Sequence, residues 1–135
     1  AIGLGTRFLR SRKLRSPRLD TEHLLATFLC KTRTFLIAYP ETVLTDLKET
    51  QFREWLLRRG RHYPVQYLLG KQEFYGHDFQ VTPAVLSPRP ETELLVDTSL
   101  NLLKDRHGST LTVLDIGTGS GCVAISLSLA EVSTG

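Results

Sequence analysis

Apolar residues recur along this chain with one period, then another. Ser16-Pro17 reads as an N-cap followed by a first helical position. Leu19, Leu24, Leu25, Phe28 and Leu29 then fall at helical spacing, which predicts an amphipathic helix ending near Lys31. Upstream, Phe8, Leu9 and Leu14 suit one more amphipathic helix. Phe35-Leu36-Ile37 predicts a buried helical turn. Asp46 followed by Glu49 predicts a capping box, with Asp in the Ser/Thr role. Phe52, Trp55, Leu56 and Arg59 share the face of the helix so started, and Gly60 stands where a C′ glycine belongs. Trp55 is expected in the core. Pro64 opens a short helical piece, Val65 to Leu69, that Gly70 stops.

From Gly70 the period shortens to two. Glu73-Phe74-Tyr75 and Asp78-Phe79-Gln80-Val81 flank Gly76-His77 and predict a β-hairpin, closed by Thr82-Pro83. Ala84-Val85-Leu86 reads as a short extended run. Pro88 and Pro90 follow, then a helix from Glu91 to Lys104 with Leu94, Leu95, Leu102 and Leu103 as its apolar face. Gly108 ends the connector. Leu111 to Asp115 reads as a strand, and Cys122-Val123-Ala124-Ile125-Ser126-Leu127 as a helix. The organisation expected is α+β/α/β. It comprises a helical domain over 1–69, a hairpin linker over 70–83, and the first β-loop-α unit of an open sheet over 84–135.

Between that strand and helix lies Asp115-Ile116-Gly117-Thr118-Gly119-Ser120-Gly121. Strand, glycine loop, helix is the ligand-cradling turn of an open α/β sheet. Glycines leave no Cβ in the way of a ligand. The spacing is G-x-G-x-G, not the G-x-G-x-x-G of dinucleotide binders. An acid at the strand end would repel a pyrophosphate but suits S-adenosylmethionine, whose sulfonium and amino groups are cationic. Both the spacing and the acid argue against a fragment of a dehydrogenase.

Composition adds a charge asymmetry. The 135 residues carry a net charge of +3. Residues 1–60 hold 12 Lys+Arg against 6 Asp+Glu, giving +6; residues 61–135 hold 5 against 8, giving −3. Arg7, Arg10, Arg12, Lys13, Arg15 and Arg18 precede the first acid, Asp20. Three readings fit this start: a solvated helix face, an RNA-facing patch, or the remnant of an Arg-rich targeting segment. No apolar run approaches the roughly 20 residues of a membrane helix. Cys30 and Cys122 lack metal-ligand spacing and read as reduced, buried small hydrophobes. His23, His62, His77 and His107 fall on separate elements and read as surface or packing residues.

A second constellation is Leu86-Ser87-Pro88-Arg89-Pro90-Glu91-Thr92-Glu93. Its plain reading is a proline-led helix start with acids favourable at the positive helix end. Together with the glycine loop it makes the chain similar to one family. FQVTPAVLSPRPETELLVD followed by VLDIGTGSGCVAISL resembles the HemK/PrmC protein-(glutamine-N5) methyltransferases, which act on class 1 peptide-chain release factors. SPRLDTEHLL and PVQYLLGKQEFYG resemble that family's helical N-terminal domain and its joining hairpin. The glycine motif alone is shared by most S-adenosylmethionine-dependent methyltransferases; RPETE ahead of it is more specific.

The resemblance implies a Rossmann-like catalytic domain and S-adenosylmethionine as cofactor. Gly117, Thr118, Gly119, Ser120 and Gly121 would line its methionine and ribose part, and Asp115 would sit near its amino group. Arg89, Pro90, Glu91 and Thr92 would border the mouth of the active site. The helical domain would dock a release factor; contact with ribosomal RNA stays open, as does a purely binding role for a helical module with a vestigial glycine unit. A monomer is expected, away from membranes, in the mitochondrion of a eukaryote or otherwise in the cytoplasm. The family's Asn-Pro-Pro-Tyr motif, which holds the substrate amide, has no counterpart in this sequence. The chain starts at Ala1 and ends in a short polar tail, Glu131 to Gly135, so a fragment or short form without turnover of its own is expected.

Overall fold

The computed structural model describes residues 1–104 and 112–132. The chain divides into two compact units, Ala1–Leu69 and Gly70–Gly135. The first unit is helical: α1 Ile2–Ser11, α2 Pro17–Phe28, α3 Arg33–Ala38, α4 Asp46–Gly60 and α5 Val65–Leu69. Leu9, Leu24, Leu25, Leu36, Phe52, Leu56 and Leu68 form its core. Leu9 and Leu24 are fully buried, each contributing about 1.5–3 kcal/mol of transfer free energy. Phe28 joins Phe52 and Trp55, with the Trp55 ring set edge-on at 5.7 Å.

Close helix approach depends on two glycines. A Cβ on Gly5 of α1 would stand 2.7 Å from Thr21 Cγ2, and one on Gly60 of α4 would stand 2.7 Å from Phe8 Cε1. Gly60 is therefore a packing residue and the last residue of α4, not a C′ glycine. The left-handed position after α4 is taken by His62, φ 64°. The α4 cap also differs from the capping box. Thr45 is the N-cap, its hydroxyl accepting from Lys48 N at 3.4 Å, and Asp46 is the first helical residue. Thr outcompetes Asp here because its own φ, ψ lie in the extended region that capping requires.

Pro17 opens α2 with Ser16 as N-cap, and α2 ends at Phe28. In α3 only Leu36 is buried; Ile37 is 67% exposed. Leu19 is also exposed and Cys30 lies at the surface, contrary to the burial expected of them. Six residues of α3 are too few to bury more than one side of one turn. Two ion pairs tie the helices: Arg59 Nε donates to Asp20 Oδ2 at 2.8 Å and Arg33 Nη2 to Glu22 at 2.7 Å, while Arg18 Nε pairs with Glu22 within α2 at 2.8 Å.

The second unit contains β1 Lys71–Phe74, β2 His77–Gln80, a 3₁₀ turn Pro90–Thr92, α6 Glu93–Leu103 and α7 Cys122–Val132. The strands pair antiparallel with Phe74 opposite His77. The turn residues are Tyr75 and Gly76, φ 51° and 77°, one position earlier than Gly76-His77. Two consecutive positive φ values mark a type I′ turn, whose twist matches the strands. Ala84-Val85-Leu86 is not extended: Val85 N donates to Thr82 O at 3.1 Å, closing a turn behind Pro83.

Phe74, Phe79, Val96, Cys122 and Leu127 form the core of this unit, with Tyr75, Leu100 and Val123 packed on it. The inward face of α6 is thus Val96, fully buried, and Leu100, half-buried, at i and i+4. Leu94, Leu95 and Leu102, expected as its apolar face, are 69%, 53% and 72% exposed. Thr112–Asp115 runs free of any ladder; among the described residues the only sheet is the hairpin. A strand is defined by its partner, and among the described residues no strand pairs with Thr112–Asp115. Gly108, His107, Leu111 and Ser133–Gly135 lie outside the described residues.

Candidate functional site

The glycine loop is built by backbone geometry. Gly117, Gly119 and Gly121 have φ of 80°, 56° and 78°. That left-handed region strains any residue with a Cβ, so glycine at alternate positions lets Thr118 and Ser120 stand between reversals of the chain. Gly121 N donates to Thr118 O at 2.9 Å, and Ile125 N donates to Gly121 O at 2.9 Å. The loop therefore closes directly onto the first turn of α7.

The space beside the loop is open. A Cβ on Gly117 would meet nothing within 4 Å, and one on Gly119 only Gly117 O at 3.9 Å. Packing does not require glycine at these two places; backbone conformation does, and so would a ligand lying against the backbone. Two polar atoms at the loop are buried with no hydrogen-bond partner among the described residues: Asp115 Oδ2 and Ser120 Oγ. A buried carboxylate oxygen left unpaired costs about 1–3 kcal/mol or more. It calls for an N–H donor, preferably cationic. A primary ammonium meets that need; a phosphate would add a second anion. These residues fit the aminoacyl end of S-adenosylmethionine.

The proline segment sits at the start of α6. Arg89 is extended, with φ −106° and ψ 140°, and Pro90 is the first residue of the 3₁₀ turn. Thr92 N donates to Arg89 O at 2.9 Å. Arg89, Pro90 and Glu91 are exposed and Thr92 is half-buried. No hydrogen bond or ion pair among the described residues joins this segment to the glycine loop. They share a unit because α6, which the first segment opens, and α7, which the loop opens, meet in one core through Val96, Cys122 and Leu127.

Sequence reasoning missed the role of Glu93. Its Oε1 accepts from Tyr75 N at 2.9 Å, so it anchors the hairpin turn to the start of α6. The Tyr75 hydroxyl donates to Asp97 Oδ1 at 2.9 Å, one turn on. That bond to a carboxylate raises the Tyr75 hydroxyl above the usual phenol value. The signal was available in part: Glu93 and Asp97 lie four apart on one helix face. Ser87 Oγ, just before Pro88, is one more buried hydroxyl without a partner among the described residues.

The chain thus has two units, a helical one and one that carries the hairpin, the proline segment and the glycine loop. Comparison with known proteins names its family. The model for the PrmC N-terminal domain matches residues 1–70, and the chain belongs to that family. It is 48% identical over 112 residues to the release factor glutamine methyltransferase of Koribacter versatilis, covering 83% of this chain and 39% of that protein. It is 44% identical over 116 residues to the protein of that name from Coxiella burnetii, covering 85% of this chain and 41% of the relative. With the Pseudomonas aeruginosa protein it shares 47% over 103 residues, 76% of this chain and 36% of the relative. The chain thus spans about two-fifths of the length of these curated relatives.

Proposed function

We propose that this chain carries the docking and cofactor-loop parts of an S-adenosylmethionine-dependent methyltransferase for the glutamine of the Gly-Gly-Gln motif in class 1 peptide-chain release factors. The observation that carries the reading is the pair of unpartnered buried oxygens, Asp115 Oδ2 and Ser120 Oγ, beside three left-handed glycines. The names of the relatives supply the substrate class. In this reading Asp115 accepts hydrogen bonds from the ammonium of the cofactor. Backbone at Gly117, Thr118, Gly119, Ser120 and Gly121 lies along its methionine and ribose part. Arg89, Pro90, Glu91 and Thr92 border the mouth through which the glutamine enters.

When bound, S-adenosylmethionine supplies an electrophilic methyl group on a sulfonium. The receiving carboxamide nitrogen is a weak nucleophile and must be held in line with that methyl group. None of residues 1–135 is assigned that task, so the chain alone is expected to bind rather than turn over. The helical unit engages the release factor as a monomer, in the mitochondrion of a eukaryote or the cytoplasm of a bacterium.

The test is an amide NMR titration of the 135-residue protein with S-adenosylmethionine. Shifts at Gly117, Gly119 and Gly121, lost in Asp115→Asn, are expected. Dispersed glycine signals that ignore the cofactor would overturn the assignment of the loop. Isothermal titration with a class 1 release factor tests the docking half separately.

A further inference from the structure

The cations of the helical unit fall into two classes. Arg18, Arg33, Arg53 and Arg59 each hold an acid in an ion pair. Arg7, Arg10, Arg12, Lys13, Arg15, Lys31, Lys48, Arg58 and Arg61 form none among the described residues, and all are exposed. Glu54, one turn before Arg58 on α4, does not pair with it either.

The fold brings the end of α1, with Arg12 and Lys13, beside the end of α4, with Arg58 and Arg61. Phe8 of α1 lies against Gly60 of α4, whose Cβ position is 3.4 Å from Arg12 Cγ. Arg12 is thus beside the residue that precedes Arg61. Both helices end here, and each is followed by a basic residue in the left-handed region: Lys13 at φ 59° and His62 at φ 64°. Side chains with a Cβ hold that conformation at some cost.

Two of the guanidinium groups are stacked on rings. Arg12 lies 5.3 Å from the centroid of Phe8 and Arg58 lies 4.5 Å from that of Tyr63. A stacked guanidinium keeps its planar fork of donors free and loses less entropy on binding an oxyanion. Within residues 10–18 and 58–63 no large apolar side chain is exposed, and the bordering Leu19 and Leu57 are only 41% and 45% exposed. A membrane surface would need such residues to insert, and a protein interface would need them at its centre. A phosphodiester backbone needs neither.

We propose that the joined ends of α1 and α4 form a binding surface for the phosphate backbone of RNA, with Arg12, Lys13, Arg58 and Arg61 as its contacts. The choice of RNA over DNA rests on the proposed role in translation; the phosphate chemistry does not.

Fluorescence anisotropy of the 135-residue protein with a labelled 20-nucleotide RNA tests this. Micromolar or tighter binding in 50 mM salt is expected, weakening with salt at a log–log slope of about −3 for four contacts at roughly 0.7 each. Each contact then accounts for about eightfold in affinity between 50 mM and 1 M salt. Lys13→Gln with Arg61→Gln should weaken binding by more than tenfold and flatten the slope by about 1.4. Arg53→Gln, on the same helix but ion-paired, should leave binding within twofold. The helical signal in circular dichroism confirms that the variants fold, and Lys13→Arg with Arg61→Lys should bind as the parent does. Absence of RNA binding in 50 mM salt, or binding indifferent to the double change, overturns the proposal. So does equal binding of polyglutamate or of anionic phospholipid vesicles. Equal binding of DNA overturns the assignment to RNA. None of these outcomes touches the glycine loop, whose cofactor titration stands apart.

Discussion

Glu22 is the strongest test of how the helical unit is held together. It is 4% exposed, on α2, inside a bundle whose other buried side chains are mostly apolar. Arg18 donates to one carboxylate oxygen at 2.8 Å and Arg33 to the other at 2.7 Å. The hydrogen bond from Arg18, then that from Arg33, holds the carboxyl below its ordinary value of 4.5, against a smaller opposing effect of burial. Glu22→Gln keeps the shape and removes the charge. Charge-assisted bonds are worth about 1.5–3 kcal/mol each when sheltered. Here the Arg18 side chain is 75% exposed and that of Arg33 43%, so both rehydrate when the charge goes and the loss is smaller. We expect about 1.5 kcal/mol at pH 7, which for a unit of this size lowers the melting temperature by roughly 6–12 °C. The sign with pH follows from the lowered pKa. The unfolded state takes up the proton first, so the stabilisation is whole above about pH 5 and is lost as pH falls through the folded value. His23, also shifted downward, chiefly by burial, favours its neutral form in both proteins and largely cancels from the difference. Thermal melts of parent and variant by circular dichroism at pH 7, 5, 4 and 3 should therefore converge at the acid end. Melting temperatures separated by the same interval at pH 7 and pH 3 would refute the reasoning.

Gly3→Ala and Gly5→Ala on α1 should act in opposite directions. Gly3 has nothing within 4 Å of a Cβ, so alanine gains about 0.5–1 kcal/mol of helix propensity. At Gly5 the new methyl meets Thr21 Cγ2 at 2.7 Å, and overpacking of about 1–3 kcal/mol outweighs that gain; urea unfolding compares them. Cys30 should react with a thiol reagent in seconds and Cys122 orders of magnitude more slowly, since one is exposed and the other buried. Two equal rates would show that the core around Val96 is open. Thr45→Ala removes the hydroxyl that caps α4 and should cost about 1 kcal/mol, while Asp46→Ala should cost less; chemical denaturation separates the two.

The helices of the first unit were legible because their periodicity is long and their punctuation conventional. Ser16-Pro17 and Gly70 mark boundaries that the backbone obeys. What the sequence hid was decided by neighbours distant along the chain. Gly60 looks like a stop signal, yet its place is set by Phe8, fifty-two residues earlier by sequence number. Glu93 looks like a helix-dipole acid, yet its partner is the Tyr75 amide of the hairpin. On α6 the eye falls on four leucines, while the core takes Val96 and Leu100.

That last mismatch bears on the candidate site. Leu94, Leu95, Leu102, Leu114 and Ile116 are all more than half exposed, and they flank the very segments expected to hold a cofactor. The glycine loop takes its left-handed turns without help from that surface, because the turns are closed locally by Thr118 O and by α7. The loop's shape is therefore a property of these residues alone. The proline segment, by contrast, has no hydrogen bond or ion pair to the loop among the described residues. Cofactor shifts confined to Gly117–Gly121, with Arg89–Thr92 silent, would mean that the cradle is preformed while the mouth is not.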